Sequence, residues 1–222
     1  MDKRVAYKYE DISLVPKFSK LSSRGGAKTS VKLGNTTFKL PIIPANMKSV
    51  INEQIAEYLS NNGYFYVMHR FGVDLYDFVL NANKKDWNTV SISVGVQTSD
   101  FELVRRIGAL KAAGQVDYIT IDIAHGYCSA MKNMMDYIQD HLPGAFIIAG
   151  NVATPQACAD LANWGADCVK IGIGQGNVCT TKDKTGFTMP MYTCVKNSVQ
   201  HMPHLRKKSR KPVKVIADGG IK

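Results

Sequence analysis

Seven short apolar runs, rich in β-branched residues and barely interrupted by polar ones, constrain this chain more than any other feature. They are P-I-I-P-A-N-M (41–47), Y-F-Y-V-M-H-R (64–70), T-V-S-I-S-V-G-V (89–96), D-Y-I-T-I-D-I-A (117–124), A-F-I-I-A-G-N-V (145–152), D-C-V-K-I-G-I-G (167–174) and V-K-V-I-A-D-G-G (213–220). A strand with one wet face alternates apolar and polar side chains; runs this continuous suit strands buried on both faces, as in a parallel sheet covered by helices. Helix-like segments separate them, among them N-E-Q-I-A-E-Y-L-S-N-N-G, F-E-L-V-R-R-I-G-A-L-K-A-A-G, A-M-K-N-M-M-D-Y-I-Q-D-H-L-P-G and T-P-Q-A-C-A-D-L-A-N-W-G. Thr154-Pro155 reads as an N-cap with proline in the first helical position, and Gly63, Gly114, Gly144 and Gly165 follow predicted helix ends.

Strand and helix alternating at this spacing predict an α/β parallel sheet, and seven strands without a reversal of order favour the closed (β/α)₈ TIM barrel over a doubly wound sheet. The 222 residues are long enough for one core, so residues 1–222 are expected to form a single barrel domain. Seven strands leave the barrel one short, and two unpaired sheet edges invite aggregation. The expectation is therefore a C-terminally incomplete barrel, lacking its last helices and eighth strand. No apolar run approaches the length of a bilayer span, and M-D-K-R-V-A-Y-K-Y-E-D has no signal-peptide pattern, so a cytoplasmic protein with no membrane partner is expected.

The net charge of +10 admits nucleic acid, membrane or a small anionic substrate. The one dense basic cluster, R-K-K-S-R-K from Arg206 to Lys211, has no interleaved aromatics, so it reads as a solvated helix end and no nucleic-acid partner is expected. Five cysteines, with no C-x-x-C pair, suggest neither a disulfide framework nor a zinc site.

In a barrel of this kind the chemistry sits at the C-terminal strand ends. These ends carry Asn46 and Met47, His69 and Arg70, Gly95, Asp122 with Ala124-His125-Gly126, Gly150-Asn151, the loop from Gly174 to Cys179, and Asp218-Gly219-Gly220. Cys158, Cys168 and Cys194 lie in helix or strand patterns and read as inert packing residues. Cys179 differs, because it ends the loop I-G-I-G-Q-G-N-V-C-T-T, with Thr180 and Thr181 beside it. Backbone N–H groups of a following helical turn would favour its nucleophilic thiolate form. The carbonyls of Gly174, Gly176 and Cys179 would suit a monovalent cation such as potassium, a hard ion that takes oxygen ligands.

These stretches, together with Y-E-D-I-S-L-V-P near the start, resemble the IMP dehydrogenase/GMP reductase family along nearly the whole chain. The motifs are G-I-G-Q-G-N-V-C-T-T, P-A-N-M, F-Y-V-M-H-R-F, S-V-G-V, I-T-I-D-I-A-H-G, I-A-G-N-V and I-A-D-G-G-I. The resemblance is closest to the bacterial short-form reductases. Dehydrogenases usually carry a CBS pair after the second strand, whereas F-G-V-D-L-Y-D-F-V-L-N-A-N-K-K-D-W-N leaves room here for one helix. I-D-I-A-H-G is also similar to the reductase pattern.

The resemblance implies reductive deamination of GMP by NADPH to IMP, NADP and ammonia. It makes Cys179 the nucleophile that forms a thioimidate at C2 of the purine, and Thr181 its proton partner, with a family glutamate expected beyond this chain. Asp218, Gly219 and Gly220 are implied GMP contacts; Ser23, Arg24, Arg70, Asp122, Ile123, Ala124, Ile173 and Gly174 are implied NADPH contacts. A homotetramer is implied for the complete protein. The chain departs from the family pattern at Gln175 and Asn177, which replace the usual proline and serine, in T-G-F-T-M-P-M-Y after the nucleophile, and in R-G-G at Arg24. The alternatives are a dehydrogenase without the CBS insertion and an inactive nucleotide-binding module.

Overall fold

A computed structural model describes residues 5–205 and 212–221. The basic cluster Arg206 to Lys211 lies outside the described residues. The chain first forms a hairpin, β1 (Val31–Leu33) against β2 (Thr36–Phe38), and then α1 (Glu53–Asn61) and α2 (Leu75–Lys84). Thereafter strand and helix alternate: β3 (Ser91–Val94), α3 (Thr98–Ala109), β4 (Tyr118–Asp122), α4 (Ser129–His141), β5 (Phe146–Val152), α5 (Pro155–Trp164), β6 (Cys168–Ile171), a short α6 (Thr181–Thr185), α7 (Met191–Leu205) and β7 (Lys214–Ala217).

Strands β3-β4-β5-β6-β7 pair in sequence order, every neighbour parallel. This is the α/β architecture that the continuous runs predict, with the barrel left open. Five of the seven runs join the ladder. The run at 64–70 touches it at one point, where the Met68 N–H donates to Ser91 O (3.1 Å) and the Ser93 N–H donates to Met68 O (2.9 Å). The run at 41–47 forms no strand. Its two prolines, Pro41 and Pro44, have no N–H to give a ladder, which is reason enough for a short apolar stretch to stay unpaired.

The two sheet faces bury different things. Ile92, Val94, Ile119, Ile121, Ile147, Ala149, Val169 and Ile171 face the helices and are buried with Val104, Ile107, Met131, Met134, Met135 and Leu161. The opposite, luminal face is graded along its length. Tyr118 pairs in register with Phe146, then Thr120 with Ile148 and Cys168, then Asp122 with Gly150, Lys170 and Ile216. The lumen thus runs from aromatic at one end to charged at the other.

The hairpin closes the aromatic end. Phe38 packs against Phe65 (ring centroids 5.1 Å apart) and Tyr118 (5.9 Å), and the Tyr118 hydroxyl donates to Leu33 O at 2.7 Å. Gly34 turns the hairpin at φ +59°, and a Cβ there would come within 2.9 Å of the Phe146 ring. Polar loop composition had hidden this element, although Gly34-Asn35 between short apolar runs is a hairpin signal.

Helix ends follow the predicted capping in part. Thr154 Oγ1 accepts the Ala157 N–H (3.2 Å), Pro155 occupies the first turn, and Gly165 ends α5 at φ +119°. Gly63 takes φ +74° after α1. Gly114 instead closes a 3-10 turn, Lys111–Gly114, that extends α3, and neither it nor Gly144 has a positive φ. The segment in which the sequence allowed one helix before β3 holds α2, capped by Asp74.

The plug should bear much of the stability of the aromatic end. Phe38→Ala would remove a side chain that is 1% exposed and leave a cavity between Phe65 and Tyr118. The expected cost is about 3–5 kcal/mol of unfolding free energy, read by urea denaturation; a change below about 1 kcal/mol would contradict the plug.

Candidate active site

The charged end of the lumen is organised by a residue that the motifs did not single out. Lys170 of β6 projects into the lumen with its side chain 13% exposed. Its Nζ reaches Asp218 Oδ2 at 3.0 Å, Asn46 Oδ1 at 3.3 Å and Asp122 Oδ1 at 3.4 Å. Three ammonium protons therefore meet three oxygens. Burial pulls the Lys170 pKa down, but Asp122 and Asp218, by charge and hydrogen bond, more than offset it, and the net shift is upward. The lysine stays cationic.

Each carboxylate has a second donor. Asn46 Nδ2 donates to Asp122 Oδ2 (2.8 Å), and Asn151 Nδ2 donates to Asp218 Oδ2 (2.7 Å) and to Gly172 O (2.7 Å). Asn46 reaches this cluster although its own segment joins no ladder. Gly150 makes room for Lys170: a Cβ there would lie 2.5 Å from Lys170 Cβ. The signal in the sequence was the one charge inside the otherwise apolar end of D-C-V-K-I-G-I-G.

The loop after β6 rests on the end of β7. Gly219 and Gly220 adopt φ +84° and +70°, and a Cβ on Gly219 would meet the Gly176 nitrogen at 2.9 Å. A Cβ on Gly172 would come within 2.5 Å of Asp218 O. These glycines permit two backbones to touch, a use that compensates for their entropy cost. Thr188 braces the loop, its Oγ1 accepting from Gln175 Nε2 (2.6 Å) and donating to Ile173 O (3.1 Å). Gln175, at the position where the family pattern has proline, is thus tied down by its side chain.

Cys179 is half-buried at the end of that loop. Its backbone N–H closes a turn on Gly176 O (3.0 Å), and its Sγ–H donates to Thr181 Oγ1 at 3.4 Å. Thr181 opens α6, which is only five residues long. The expected cation cage of Gly174, Gly176 and Cys179 carbonyls has one lone pair of Gly176 committed to this turn; Gly174 stands at φ +73°. Among the described residues, no cluster of three or more His, Cys, Asp and Glu could hold a metal ion.

Three other thiols, Cys158, Cys168 and Cys194, are buried in the core. Burial raises Cys158 to about 11 and Cys194 to about 12, and it pushes Cys168 up further still. They remain neutral packing thiols, as their patterns predict.

Arg70 lies at the rim with its guanidinium carbon 4.7 Å from the Phe71 ring centroid and packed over Gly95, where a Cβ would meet it at 3.2 Å. Its Nε is buried without a partner, an orphan donor next to the strand ends. His69 is 2% exposed, accepts the Phe71 N–H on Nδ1 (3.1 Å), and is held below the usual histidine range by burial and by Lys48. It is a structural histidine. Ile123 and Ile173 are half-buried and Ala124 is exposed beside them.

Ser23 and Arg24 stand apart. Ser23 Oγ caps its own turn through Gly25 N (3.3 Å), and no hydrogen bond or ion pair among the described residues joins either one to the strand ends. Another part of the N-terminal segment does approach: Lys8 and Glu10 line, with Gln175, Asn177, Lys182 and Gly220, a cavity of about 160 Å³.

The IMP dehydrogenase / GMP reductase domain model matches residues 6–222. The chain is 44% identical over 216 residues to the GMP reductase of Paracidovorax citrulli and 46% identical over 217 residues to that of Helicobacter pylori, in both cases over 97% of this chain and 63% of the relative. The GMP reductase of Mesoplasma florum is 45% identical over 98% of this chain and 65% of its own length. Among solved structures, the inosine 5′-monophosphate dehydrogenase of Legionella pneumophila superposes with a TM-score of 0.80 at 33% identity, covering 98% of this chain and 63% of that one. The chain spans a little under two thirds of the length of these relatives. Domain match, strand order and the glycine loop ending in Cys179 agree, and this chain belongs to the IMP dehydrogenase/GMP reductase family.

Proposed function

We propose that the full-length protein is a reductase that converts GMP to IMP with release of ammonia, NADPH being the reductant and Cys179 the nucleophile. The observation that carries this reading is the placement of Cys179, hydrogen-bonded to Thr181, on a loop that touches Gly219 and adjoins Asp218. The relatives named GMP reductase, at 44–46% identity, support the reductase over the dehydrogenase; the solved dehydrogenase of Legionella pneumophila is 33% identical.

The residues divide the work. Asp218, fixed by Asn151 and Lys170 at Oδ2, offers its other oxygen to ribose hydroxyls, and the backbone of Gly219 and Gly220 turns toward the phosphate. Lys8 and Lys182 outnumber Glu10 in the lining of the cavity beside Gly220, and the net positive charge favours an anion there. Cys179 attacks C2 of the purine; the C2–N bond breaks, ammonia leaves with protons relayed through Thr181, and a thioimidate holds the purine on the enzyme. Covalent catalysis divides one hard displacement into two easier steps. NADPH, when bound, supplies the hydride that replaces the sulfur at C2.

Asp122 and Arg70 fit the NADPH side, one as a hydroxyl acceptor and the other through its unpartnered Nε, with Ile123, Ala124, Ile173 and Gly174 shaping the wall. Ser23 and Arg24 belong to this side by chemistry alone, as a hydroxyl and a cation for phosphate. We assign potassium to the Gly174, Gly176 and Cys179 carbonyls. The same reading carries a cytoplasmic homotetramer. The exposed apolar residues Leu14, Val15 and Phe18 of the N-terminal segment are surface that an assembly would cover.

Cys179→Ala in the full-length protein should abolish turnover and leave the GMP dissociation constant nearly unchanged; near-normal turnover in that variant would sink the mechanism. Exchanging potassium for lithium should lower turnover without altering the circular dichroism spectrum. Equal rates in the two salts would remove the cation from the carbonyl turn.

A further inference from the structure

We infer that Lys170 is a positioning residue shared by two ligand sites, coupling the carboxylate on the GMP side, Asp218, to the carboxylate on the NADPH side, Asp122. The inference rests on the function proposed above and adds a link between its two sites. Asp122 closes β4 and Asp218 follows β7, so the two acids lie on strands separated by two others. One ammonium reaches both, at 3.4 and 3.0 Å, and all three of its protons point to oxygens.

An ammonium shared by two carboxylates divides its attraction between them. When a ligand hydroxyl or a substitution weakens the claim of one acid, Lys170 leans toward the other, and the second acid becomes a poorer or better acceptor for its own ligand. Such a shared partner is a coupling element whose two ends are bound by different ligands. Asn46 strengthens the link, since it donates to Asp122 and accepts from Lys170. Gly150, in register between Asp122 and Lys170, is what lets the lysine lie against its neighbour. A lysine whose role was only to balance charge would affect stability alone.

Calorimetric titration of the full-length protein with GMP and, separately, with NADPH reads the coupling. Asp218→Asn alters only the GMP-side acid, yet with Lys170 present it should weaken NADPH by about threefold to tenfold. In a Lys170→Met background the same change should no longer move NADPH, and Lys170→Met alone should weaken both ligands by about tenfold or more. Lys170→Arg, whose planar fork can also span two carboxylates, should restore both.

NADPH affinity untouched by Asp218→Asn, or loss of only one ligand in Lys170→Met, would overturn the coupling while wild-type binding of both nucleotides kept the function intact. Wild-type protein that bound neither nucleotide would overturn the function itself and the coupling with it. Should Lys170→Met fail to fold, the NADPH response to Asp218→Asn decides the matter by itself.

Discussion

A buried ammonium is costly unless its protons are all used, and the charged end of this lumen is built around one. Moving a lysine out of water disfavours its charge, and only close oxygens on several sides restore it. Asp122, Asp218 and Asn46 supply those oxygens from three separate places in the chain. The requirement fixes much else: Gly150 beside the lysine, Asn151 holding Asp218 and the Gly172 carbonyl, and the β6 loop laid against the end of β7. Removing the cation would leave two carboxylates facing each other, so the strand ends depend on it for their geometry.

At its other end the same lumen is filled by rings and closed by the β1-β2 hairpin. The grading from Tyr118 and Phe146 to Asp122 and Lys170 separates two tasks along one set of strands. The aromatic end holds the sheet to its plug. The charged end presents groups whose directions are set by the strands beneath them, which is how a barrel positions chemistry at its C-terminal face.

Much of this was legible in the residues. Continuous runs such as I-T-I-D-I-A gave buried parallel strands, Thr154-Pro155 and Gly165 gave the limits of α5, and the order of motifs gave the family. Other features were not legible, for physical reasons. Pro41 and Pro44 keep an apolar run out of the ladder, which periodicity alone does not register. Lys170 looked like one charge in a strand because its partners lie 48 and 124 residues away for Asp122 and Asn46. The bracing of the loop by Thr188 likewise depends on a contact across 13 residues from Gln175. Local pattern reports what a residue does to its neighbours in sequence, and these roles are set by neighbours in space.

The loop around Cys179 joins these levels. Its glycines allow close approach to Gly219, Gln175 anchors it where proline would have stiffened it, and the half-buried thiol finds Thr181 while three other cysteines stay locked in the core. The central claim is that this thiol drives reductive deamination. The most direct test is to mix the full-length protein with GMP and NADPH and follow nicotinamide absorbance together with purine and ammonia analysis. The account predicts loss of NADPH with IMP and ammonia appearing in equal amounts. Reduction of NAD in the presence of IMP, with no consumption of NADPH by GMP, would contradict it.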